Sequence, residues 1–463
     1  MQFSITIKLL RFCTFSCFVI FCKNAAAQDA IIPQDTLTGN VHVYQKVDEY
    51  KSHLDDITKQ NADLLDKKLQ KQYNKIIGDK NTELIKQLNE KGFLFDTEIY
   101  PYLSSIFYNI IDKNGLDRNQ FHFFVDRTPE VNAYTYEDGT IVCNLGLLSI
   151  IQNESELAMV FSHEIGHYLL KHTNTALKNY LEKINSDEFA IEVKEIKKET
   201  YNTKEKLEKL LEVDVFDRRK HNRLQESAAD SLGMVLFSKT NYNCATVPHL
   251  YDLLDSSSHA SSYCTMQDFF KQEEISVDDN WFTSPKKMSF GAAPKKEIVD
   301  SLKTHPDCAK RKIAAEAYFS QHPKTGVDFF IGSQAKLASI KNLAIFDETV
   351  YSKDNSNLGF YLYQLIQDNT QFPGNKFIKT EIFNTFLSLC QHQKQHDLYT
   401  VVDVPYTPED DKDEYAKLLK MLDAVSLHKL IEITATYYDR NKNVITPSSE
   451  SINDLNQLKS TQS

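Results

Sequence analysis

The residues best suited to chemistry in this chain are two histidines and a glutamate in the stretch VFSHEIGHYLLKH, residues 160–172. On a helix, residues four apart lie on the same face, so His163 and His167 could both bind one zinc ion. Glu164 is rotated by about 100° around the helix axis from His163 and would lie beside that ion. This position suits a general base that activates a zinc-bound water. A pattern this short also arises by chance, so the hypothesis requires a third ligand from elsewhere in the chain.

The best candidate for the third ligand is in the stretch QESAAD, residues 225–230. A catalytic zinc ion takes three protein ligands and keeps one position open. With the histidine motif present, Glu226 is predicted to supply the oxygen ligand. The alternative is a solvated glutamate on an ordinary helix. Asp230, one turn further on, could accept a hydrogen bond from a ligand histidine and fix its tautomer. Gly166 costs a helix interior about 1 kcal/mol relative to alanine, which predicts close packing with a neighbouring element near the metal.

The helix that carries the histidines has a clear start and a periodic apolar pattern. Asn153 is predicted to cap it, with Glu156 as the capping-box partner three residues later. One apolar face is formed by Leu157, Phe161, Ile165 and Leu169, which recur every fourth residue. The two histidines lie on a different stripe, and His172 lies off the metal-facing stripe and is interpreted as structural or supporting. A second helix is predicted over residues 223–237.

Short β-strands are predicted directly before the first of these helices. The stretch FHFFVD, residues 121–126, is rich in aromatic residues and is typical of a strand. Residues 131–144 follow, with Asp138 and Gly139 between two runs of β-forming residues. An aspartate–glycine pair in that position indicates a hairpin turn.

Length, composition and charge narrow the class of protein. The chain has 463 residues, 41% hydrophobic and 25% charged, which is typical of a globular protein with more than one domain. Its formal net charge is −11. We therefore expect no binding to nucleic acid, because phosphate contacts require clustered positive charge. After the first residues, no stretch approaches the apolar length of a membrane span.

The first 27 residues have the composition of a signal peptide. The positive residues Lys8 and Arg11 come first, and an apolar run over residues 12–21 follows. The small residues Ala25-Ala26-Ala27 come last. Cleavage is expected after Ala27, which makes the mature chain more acidic and predicts export, to the periplasm, the outer membrane or the medium. Two alternatives are an uncleaved anchor and a lipid on Cys22, although the bulky Phe21 before that cysteine disfavours lipidation.

Five cysteines follow the predicted signal peptide: Cys143, Cys244, Cys264, Cys308 and Cys390. An odd and sparse set in a chain of this length is not a disulfide framework. One bridge between Cys244 and Cys264 remains an alternative to buried free thiols.

Several motifs together resemble one metallopeptidase family. They are Asn132-Ala133-Tyr134, Gly139-Thr140-Ile141-Val142, Gly146-Leu147-Leu148, His163-Glu164-Ile165-Gly166-His167, Glu226-Ser227-Ala228-Ala229-Asp230, and Thr304-His305-Pro306 with Arg311. In their order and spacing, the chain resembles the zinc metallopeptidases of the HtpX and CAAX-prenyl-protease type, which are gluzincins. The resemblance runs from about residue 95 to residue 315.

The resemblance implies one zinc ion per chain, held by His163, His167 and Glu226, with Glu164 as base and proton shuttle. It implies that the strand around Asn132, Ala133 and Tyr134 lies along the cleft and pairs with an extended substrate backbone.

For the later motif, the resemblance implies that His305 and Arg311 lie near the open side of the zinc ion. There they could stabilise the oxyanion of the tetrahedral intermediate. Alternatively, His305 could cap the metal in a resting state, or be a structural histidine in a turn.

The predicted fold is α+β and mainly helical, a gluzincin metallopeptidase domain with a small β-sheet followed by a helical C-terminal region. The expected organisation begins with a signal peptide (1–27) and a helical lead-in (28–95). The zinc metallopeptidase domain (96–320), the helical C-terminal region (321–440) and a disordered tail (441–463) follow. Residues 358–391 resemble a single helix–turn–helix unit of the tetratricopeptide type.

One departure from the family affects the expected function. The HtpX and prenyl proteases span the membrane several times, whereas no span is predicted here. The chain looks more like the soluble, exported, BepA-like branch, which is tied to outer-membrane protein quality control. We therefore expect a zinc metalloendopeptidase that cleaves unfolded or misassembled cell-envelope proteins, with a possible envelope partner bound through the C-terminal helices. The alternative is a chaperone-like envelope assembly factor with a latent or regulated zinc site.

Overall fold

The computed structural model describes most of the chain, namely residues 44, 46–198, 223–257, 263–282, 308–406 and 413–460. The predicted signal peptide, residues 1–27, lies outside the described residues. His305 also lies outside them. The fold class is confirmed, since the described part is mainly helical with one small sheet and a helical C-terminal region.

The chain enters the fold through a pair of charged helices, α1 (Val47–Asp63) and α2 (Lys67–Asn89). Tyr50 and Leu54 of α1 are buried in an aromatic cluster that includes Phe124 of the sheet. The next helix, α3 (Ile99–Lys113), is much more apolar and contributes to the main core. The charged pair therefore covers one side of the sheet and α3 packs into the domain interior.

The sheet has three strands, β1 (His122–Asp126), β2 (Ala133–Thr135) and β3 (Thr140–Asn144). Their order is β1-β3-β2, with β1 parallel and β2 antiparallel to β3. The predicted hairpin turn is confirmed, because Gly139 has φ +92° and a Cβ there would lie 2.1 Å from the Gln120 carbonyl oxygen. In the described part of the chain, β2 is thus an edge strand with one free side.

Helices that surround the sheet follow: α4 (Leu147–Ile150), α5 (Glu154–Leu169), α6 (His172–Ile184), α7 (Asp187–Lys198) and α8 (223–238). The predicted cap of α5 is confirmed, since the Asn153 side chain accepts a hydrogen bond from the Glu156 N–H at 3.0 Å. The Glu154 carboxylate accepts hydrogen bonds from three backbone N–H groups, those of Phe330, Ile331 and Gly332. These contacts fix the start of α5 within the core.

The predicted apolar stripe is not the only buried face of α5. Every residue of α5 from Glu154 to Gly166 is buried, including the polar ones. The reason is tertiary, because α3, the sheet and α8 contact this helix from different sides. The stripe that carries the histidines therefore faces protein and not solvent.

The remaining helices are α9 (Val247–Ser257), α10 (Met266–Gln272), α11 (Cys308–Gln321), α12 (Gln334–Asn355), α13 (Leu358–Gln371), α14 (Lys376–Gln395), α15 (Glu414–Ala424), α16 (Leu427–Asn441) and α17 (Ser449–Ser460). Helix α9 packs against α11, and α13 packs against α14. The second pair is the predicted helix–turn–helix unit, and its relation to tetratricopeptide repeats stays a prediction.

The predicted boundary near residue 320 does not separate the two hydrophobic cores. Met266 and Phe270 of α10 are buried in the C-terminal core, although they fall within the predicted domain 96–320. The Gln367 side chain holds this segment by hydrogen bonds of 2.9 Å to the backbone N–H and carbonyl of Cys264. Helix α12 belongs to both cores, because Ile340 packs in the first and Phe346 in the second.

The expectation that residues 441–463 are disordered is also wrong for most of that stretch. Residues Ser449–Ser460 form α17, and Leu455 and Leu458 are buried. These two leucines lie about one turn apart and pack in the C-terminal core. The polar composition of the tail hides this short apolar stripe.

The five cysteines downstream of the predicted signal peptide are all buried, and none of them forms a disulfide bond with another described residue. The alternative of a bridge between Cys244 and Cys264 is therefore not formed, and these two residues lie in different hydrophobic cores. Within the described ranges, no helix combines the length and the apolar character that crossing a bilayer requires.

Candidate metal centre and active site

Three predicted ligands converge at the crossing of α5 and α8. The Nε2 atoms of His163 and His167 are 3.0 Å apart. The two carboxylate oxygens of Glu226 lie 3.4 Å from His163 Nε2 and 3.3 Å from His167 Nε2. A tetrahedral zinc ion with bonds of about 2.0–2.1 Å places its ligand atoms about 3.3 Å apart. The spacing of these three side chains therefore fits such an ion.

Glycines allow the two helices to approach closely at this point. A Cβ on Gly166 of α5 would lie 2.9 Å from the Ala229 carbonyl oxygen of α8. A Cβ on Gly233 of α8 would lie 3.0 Å from the Cα of His163. Each glycine thus faces the backbone of the other helix. The predicted packing role of Gly166 is confirmed, and the short approach brings Glu226 within reach of both histidines.

Replacing Gly166 by alanine is expected to lower the free energy of unfolding by about 1–3 kcal/mol, because the added methyl group overpacks this crossing. Helix propensity alone predicts the opposite, a gain of about 1 kcal/mol. Gly78→Ala is the matched control, since Gly78 lies within α2 and a Cβ there would have no neighbour within 4 Å. Urea unfolding of both variants measures the difference. Equal stabilisation of the two variants would contradict the close crossing.

A buried ion pair contacts His163 on the ring nitrogen opposite the predicted metal-binding one. The Oδ1 atom of Asp230 lies 2.9 Å from the Nδ1 of His163. Arg311 donates two hydrogen bonds to the same carboxylate, from Nε at 2.7 Å and from Nη2 at 2.8 Å. Tyr251 also donates to Asp230, at 3.3 Å. The predicted supporting role of Asp230 agrees with this geometry, because its carboxylate orients the His163 ring.

The charges of the centre favour a bound cation. Burial opposes ionisation of Glu226, but hydrogen bonds to His163 and His167 hold its pKa well below the usual range. Burial likewise opposes ionisation of Asp230, but Arg311 and His163 lower its pKa. Burial lowers the pKa of His163, but hydrogen bonds to Asp230 and Glu226 outweigh it and raise that pKa to about 10. Both carboxylates are therefore ionised beside the histidine nitrogens, and a divalent ion that binds there would displace the proton of His163.

Replacing Asp230 by asparagine is expected to weaken zinc affinity about 10–100-fold, the usual effect of losing a partner of a ligand histidine. It should also lower the free energy of unfolding by about 3 kcal/mol, since buried Arg311 loses its nearest counter-ion and keeps only the longer contact with Glu226, at 3.7 Å. Competition with a fluorescent chelator and urea unfolding measure the two effects. Asp252→Asn is the control. Asp252 pairs with Lys312 at 2.6 Å, and half of the Asp252 side chain is exposed. That surface pair should contribute at most about 1 kcal/mol. Similar losses in both variants would contradict a special role of Asp230.

The catalytic candidate Glu164 faces the edge strand β2. Its Oε2 atom accepts a hydrogen bond of 2.7 Å from the hydroxyl of Thr135, the last residue of β2. A small apolar pocket opens beside the metal centre, and Ala133 and Glu164 are among the residues that line it. The edge of β2, the carboxylate and the pocket therefore lie next to the three ligands.

The later predicted motif contains Arg311 and His305, and the structure describes only the first of them. Arg311 uses Nε and Nη2 for Asp230, and its Nη1 lies 3.7 Å from Glu226. These contacts make Arg311 a support for the predicted ligands, and its oxyanion role stays a prediction. His305 lies outside the described residues. His172 contacts His167, with the two Nδ1 atoms 3.0 Å apart, in agreement with a supporting role.

Sequence reasoning missed three residues of the centre: Thr135, Gly233 and Tyr251. Thr135 could have been found, because alternation along a strand places it on the same face as Ala133. Gly233 could have been found as a second glycine in a helix interior, in the same way as Gly166. The contact of Tyr251 had no local signal, because it depends on how α9 packs.

Comparisons with known proteins agree with this site. Residues 100–318 match the model of peptidase family M48. The metallopeptidase resemblance drawn from the motifs is thereby confirmed for that part of the chain, which contains the three predicted ligands and Glu164.

Relatives match over short stretches. The β-barrel assembly-enhancing protease of Escherichia coli (strain K12) is 30% identical over 84 residues, 18% of this chain and 17% of that protein. The protein of the same name from Yersinia pestis is 28% identical over 85 residues, 18% of each chain. The mitochondrial metalloendopeptidase OMA1 of Arabidopsis thaliana is 27% identical over 143 residues, 30% of this chain and 27% of that one. This chain thus spans less than a third of the length of these relatives.

Proposed function

We propose, from the premise that residues 100–318 carry a peptidase family M48 domain, that this protein is a zinc-dependent metalloendopeptidase. The observation that carries the proposal is the convergence of His163, His167 and Glu226, with ligand-atom separations of 3.0, 3.4 and 3.3 Å. These separations fit a tetrahedral zinc ion and leave one coordination position to water or substrate.

The metal would supply Lewis acidity, which makes a water molecule nucleophilic at neutral pH and polarises the scissile carbonyl. The side chains of the protein account for the proton transfers. The carboxylate of Glu164 takes the proton of the attacking water and passes it to the leaving amine. Thr135 holds that carboxylate through a hydrogen bond of 2.7 Å, which keeps it beside the ligands.

The substrate is proposed to be an extended polypeptide. Among the described residues, no strand pairs with the outer edge of β2, which contains Ala133 and Tyr134 and which Asn132 directly precedes. We propose that a substrate backbone pairs with this edge. The apolar pocket beside Glu164 would take one side chain of that polypeptide. Because pairing through the main chain carries little sequence information, it suits unfolded clients of varied sequence.

The proposed clients are unfolded or misassembled proteins of the cell envelope, which an exported enzyme would meet in the periplasm. Two observations support this finer proposal. Residues 1–27 have the composition of a signal peptide. Relatives that match the chain are named for enhancing β-barrel assembly. The helices after residue 320 are the proposed surface for an envelope partner.

Removing the metal tests the proposal directly. The purified protein is expected to hold zinc and to cleave unfolded casein, and 1,10-phenanthroline should abolish the cleavage. Zinc added back should restore it, whereas chelator saturated with zinc beforehand should have no effect.

Two other outcomes of that experiment are informative. Cleavage that survives complete removal of the metal would overturn the proposal. Stoichiometric zinc without cleavage would favour the chaperone-like alternative, and suppression of casein aggregation by the intact protein would then be the measurement to make.

A further inference from the structure

We propose that His53, His122 and Asp138 form a second metal site, separate from the first and suited to zinc. One ring nitrogen of each histidine and a carboxylate oxygen of Asp138 lie within 4.8 Å of one another. Among the described residues, the only other group of histidine, cysteine and acidic side chains with this property is the predicted catalytic set. The inference does not depend on the proposed peptidase activity.

The three residues come from three different elements. His53 lies on α1, His122 is the first residue of β1, and Asp138 is in the turn between β2 and β3. The Nε2 atom of His53 lies 3.8 Å from Oδ2 of Asp138. The centroids of the two imidazole rings are 5.0 Å apart. A ligand set drawn from separate elements is typical of a site that ties a fold together.

The carboxylate of the set is held in place by its neighbours. Asp138 is 1% exposed and accepts hydrogen bonds from Thr140, from Oγ1 at 2.7 Å and from the backbone N–H at 3.2 Å. Oγ1 of Thr140 also lies 2.6 Å from the hydroxyl of Tyr50. Such outer partners orient a metal-binding carboxylate and are a regular part of metal sites.

One polar atom of the set lacks a protein partner. The Nδ1 atom of His122 is buried and forms no hydrogen bond with any described residue. A buried polar atom without a partner costs about 1–3 kcal/mol, so such atoms are rare and call for an explanation. A cation bound at Nδ1 itself would supply one.

The chemistry of the set selects the class of ion. Two imidazoles and one carboxylate suit zinc and similar first-row metals, whereas calcium and magnesium prefer oxygen ligands alone. With neutral imidazoles the set carries one negative charge, from a carboxylate shielded from water. The nearest acid in sequence, Glu137, is paired with Lys80 at 2.7 Å. Asp138 therefore supplies the negative charge of this set.

Occupation of the site would join α1 to the turn of the hairpin that contains β2. Strand β2 carries Thr135, which contacts Glu164, so the second ion would stabilise the strand that borders the predicted catalytic centre. We assign this ion a structural role, because the second set includes neither Glu164 nor any of the three predicted ligands of the first centre.

The test counts zinc in the purified full chain and its variants, each loaded with a small excess of Zn²⁺ and passed through a desalting column. The parent is expected to hold two zinc ions, and His53→Gln and His167→Ala one each. The double variant should hold none. His53 is the residue to change, because 29% of its side chain is exposed and the substitution keeps its size and polarity.

The matched control is His392→Gln. His392 forms a similar pair with Asp397, 2.9 Å long, but no third ligand joins them in the described part of the chain. This variant should keep two zinc ions. Circular dichroism and thermal melting check that each variant is folded, and added Zn²⁺ should raise the melting temperature of His167→Ala but not of the double variant.

The two metal assignments fail in different ways. One zinc ion in the parent that His53→Gln keeps and His167→Ala loses would overturn the second site and leave the proposed peptidase centre standing. One zinc ion that His53→Gln loses and His167→Ala keeps would support the second site and overturn the assignment of the first.

Discussion

Replacing Glu164 by glutamine is expected to lower kcat/KM for peptide hydrolysis by about 10²–10⁴-fold, the contribution typical of a positioned general base. Zinc content should not change, because Glu164 is not among the three residues whose ligand atoms converge. Glutamine has nearly the shape of glutamate and can still accept the hydrogen bond from Thr135. It cannot take a proton from water at neutral pH. Steady-state cleavage of a quenched fluorescent peptide and metal analysis of the same samples measure both quantities.

The matched control for this substitution is Glu182→Gln. Glu182 lies on α6 with half of its side chain exposed, and its contact with Lys178 is a surface pair of 3.7 Å. Its kcat/KM should equal that of the parent. A Glu164→Gln protein that is fully zinc-loaded and as active as the parent would show that another group accepts the proton.

Thr135 provides a graded version of the same experiment. The Thr135→Val variant keeps the shape of the side chain but removes the hydroxyl that donates to Glu164 at 2.7 Å. We expect a smaller loss of kcat than for Glu164→Gln, with zinc retained, because the base is present but less well oriented. Thr135→Ser restores the donor and should recover most of the lost kcat, which a merely structural role of the threonine would not predict.

Replacing Glu226 by glutamine is expected to weaken zinc binding by more than about 100-fold, because loss of an outer partner of a ligand alone weakens it by about 10–100-fold. The carboxylate reaches both histidines, at 3.4 and 3.3 Å, and its charge offsets that of the metal. An amide of the same shape keeps the geometry but loses the charge. Peptide cleavage should fall with zinc occupancy and recover partly at high zinc concentration.

The control for Glu226 is Ser227→Ala, at the next position on α8. Ser227 is exposed, and it is not among the three residues whose ligand atoms converge, so zinc affinity should not change. Zinc affinity is measured by competition with a chelator of known strength. Full affinity and activity in Glu226→Gln would mean that another residue supplies the third ligand.

Local patterns in the sequence were enough for the elements that carry the centre. The i, i+4 spacing of His163 and His167, the cap at Asn153 and the turn at Gly139 all depend on neighbours within a few residues. The structure has each of them where the sequence predicts it. Helix and turn geometry are set by short-range sterics and hydrogen bonds, which depend only on residues that are close in the sequence.

Glu226 was accessible to sequence reasoning for a different reason. Glu226 lies far along the chain from the two histidines, and this separation in sequence does not predict the distance between them in the fold. It was identified because a catalytic zinc ion requires a third ligand from elsewhere in the chain, and the motif resemblance points to the same residue. Its predicted role therefore followed from the requirements of the chemistry.

The sequence by itself determined the two histidines, the base, the capped helix and the hairpin, because each is a local pattern. Only the tertiary structure decided what surrounds them. Burial of α5 on every side, the pairing of Arg311 with Asp230, the sharing of α12 between two cores and the ordering of α17 all arise from contacts between distant segments. The convergence of His53, His122 and Asp138 has the same origin. Such contacts depend on how whole elements pack. The packing of one element depends on the shapes and charges of the other elements that contact it, and its own stretch of sequence does not specify these.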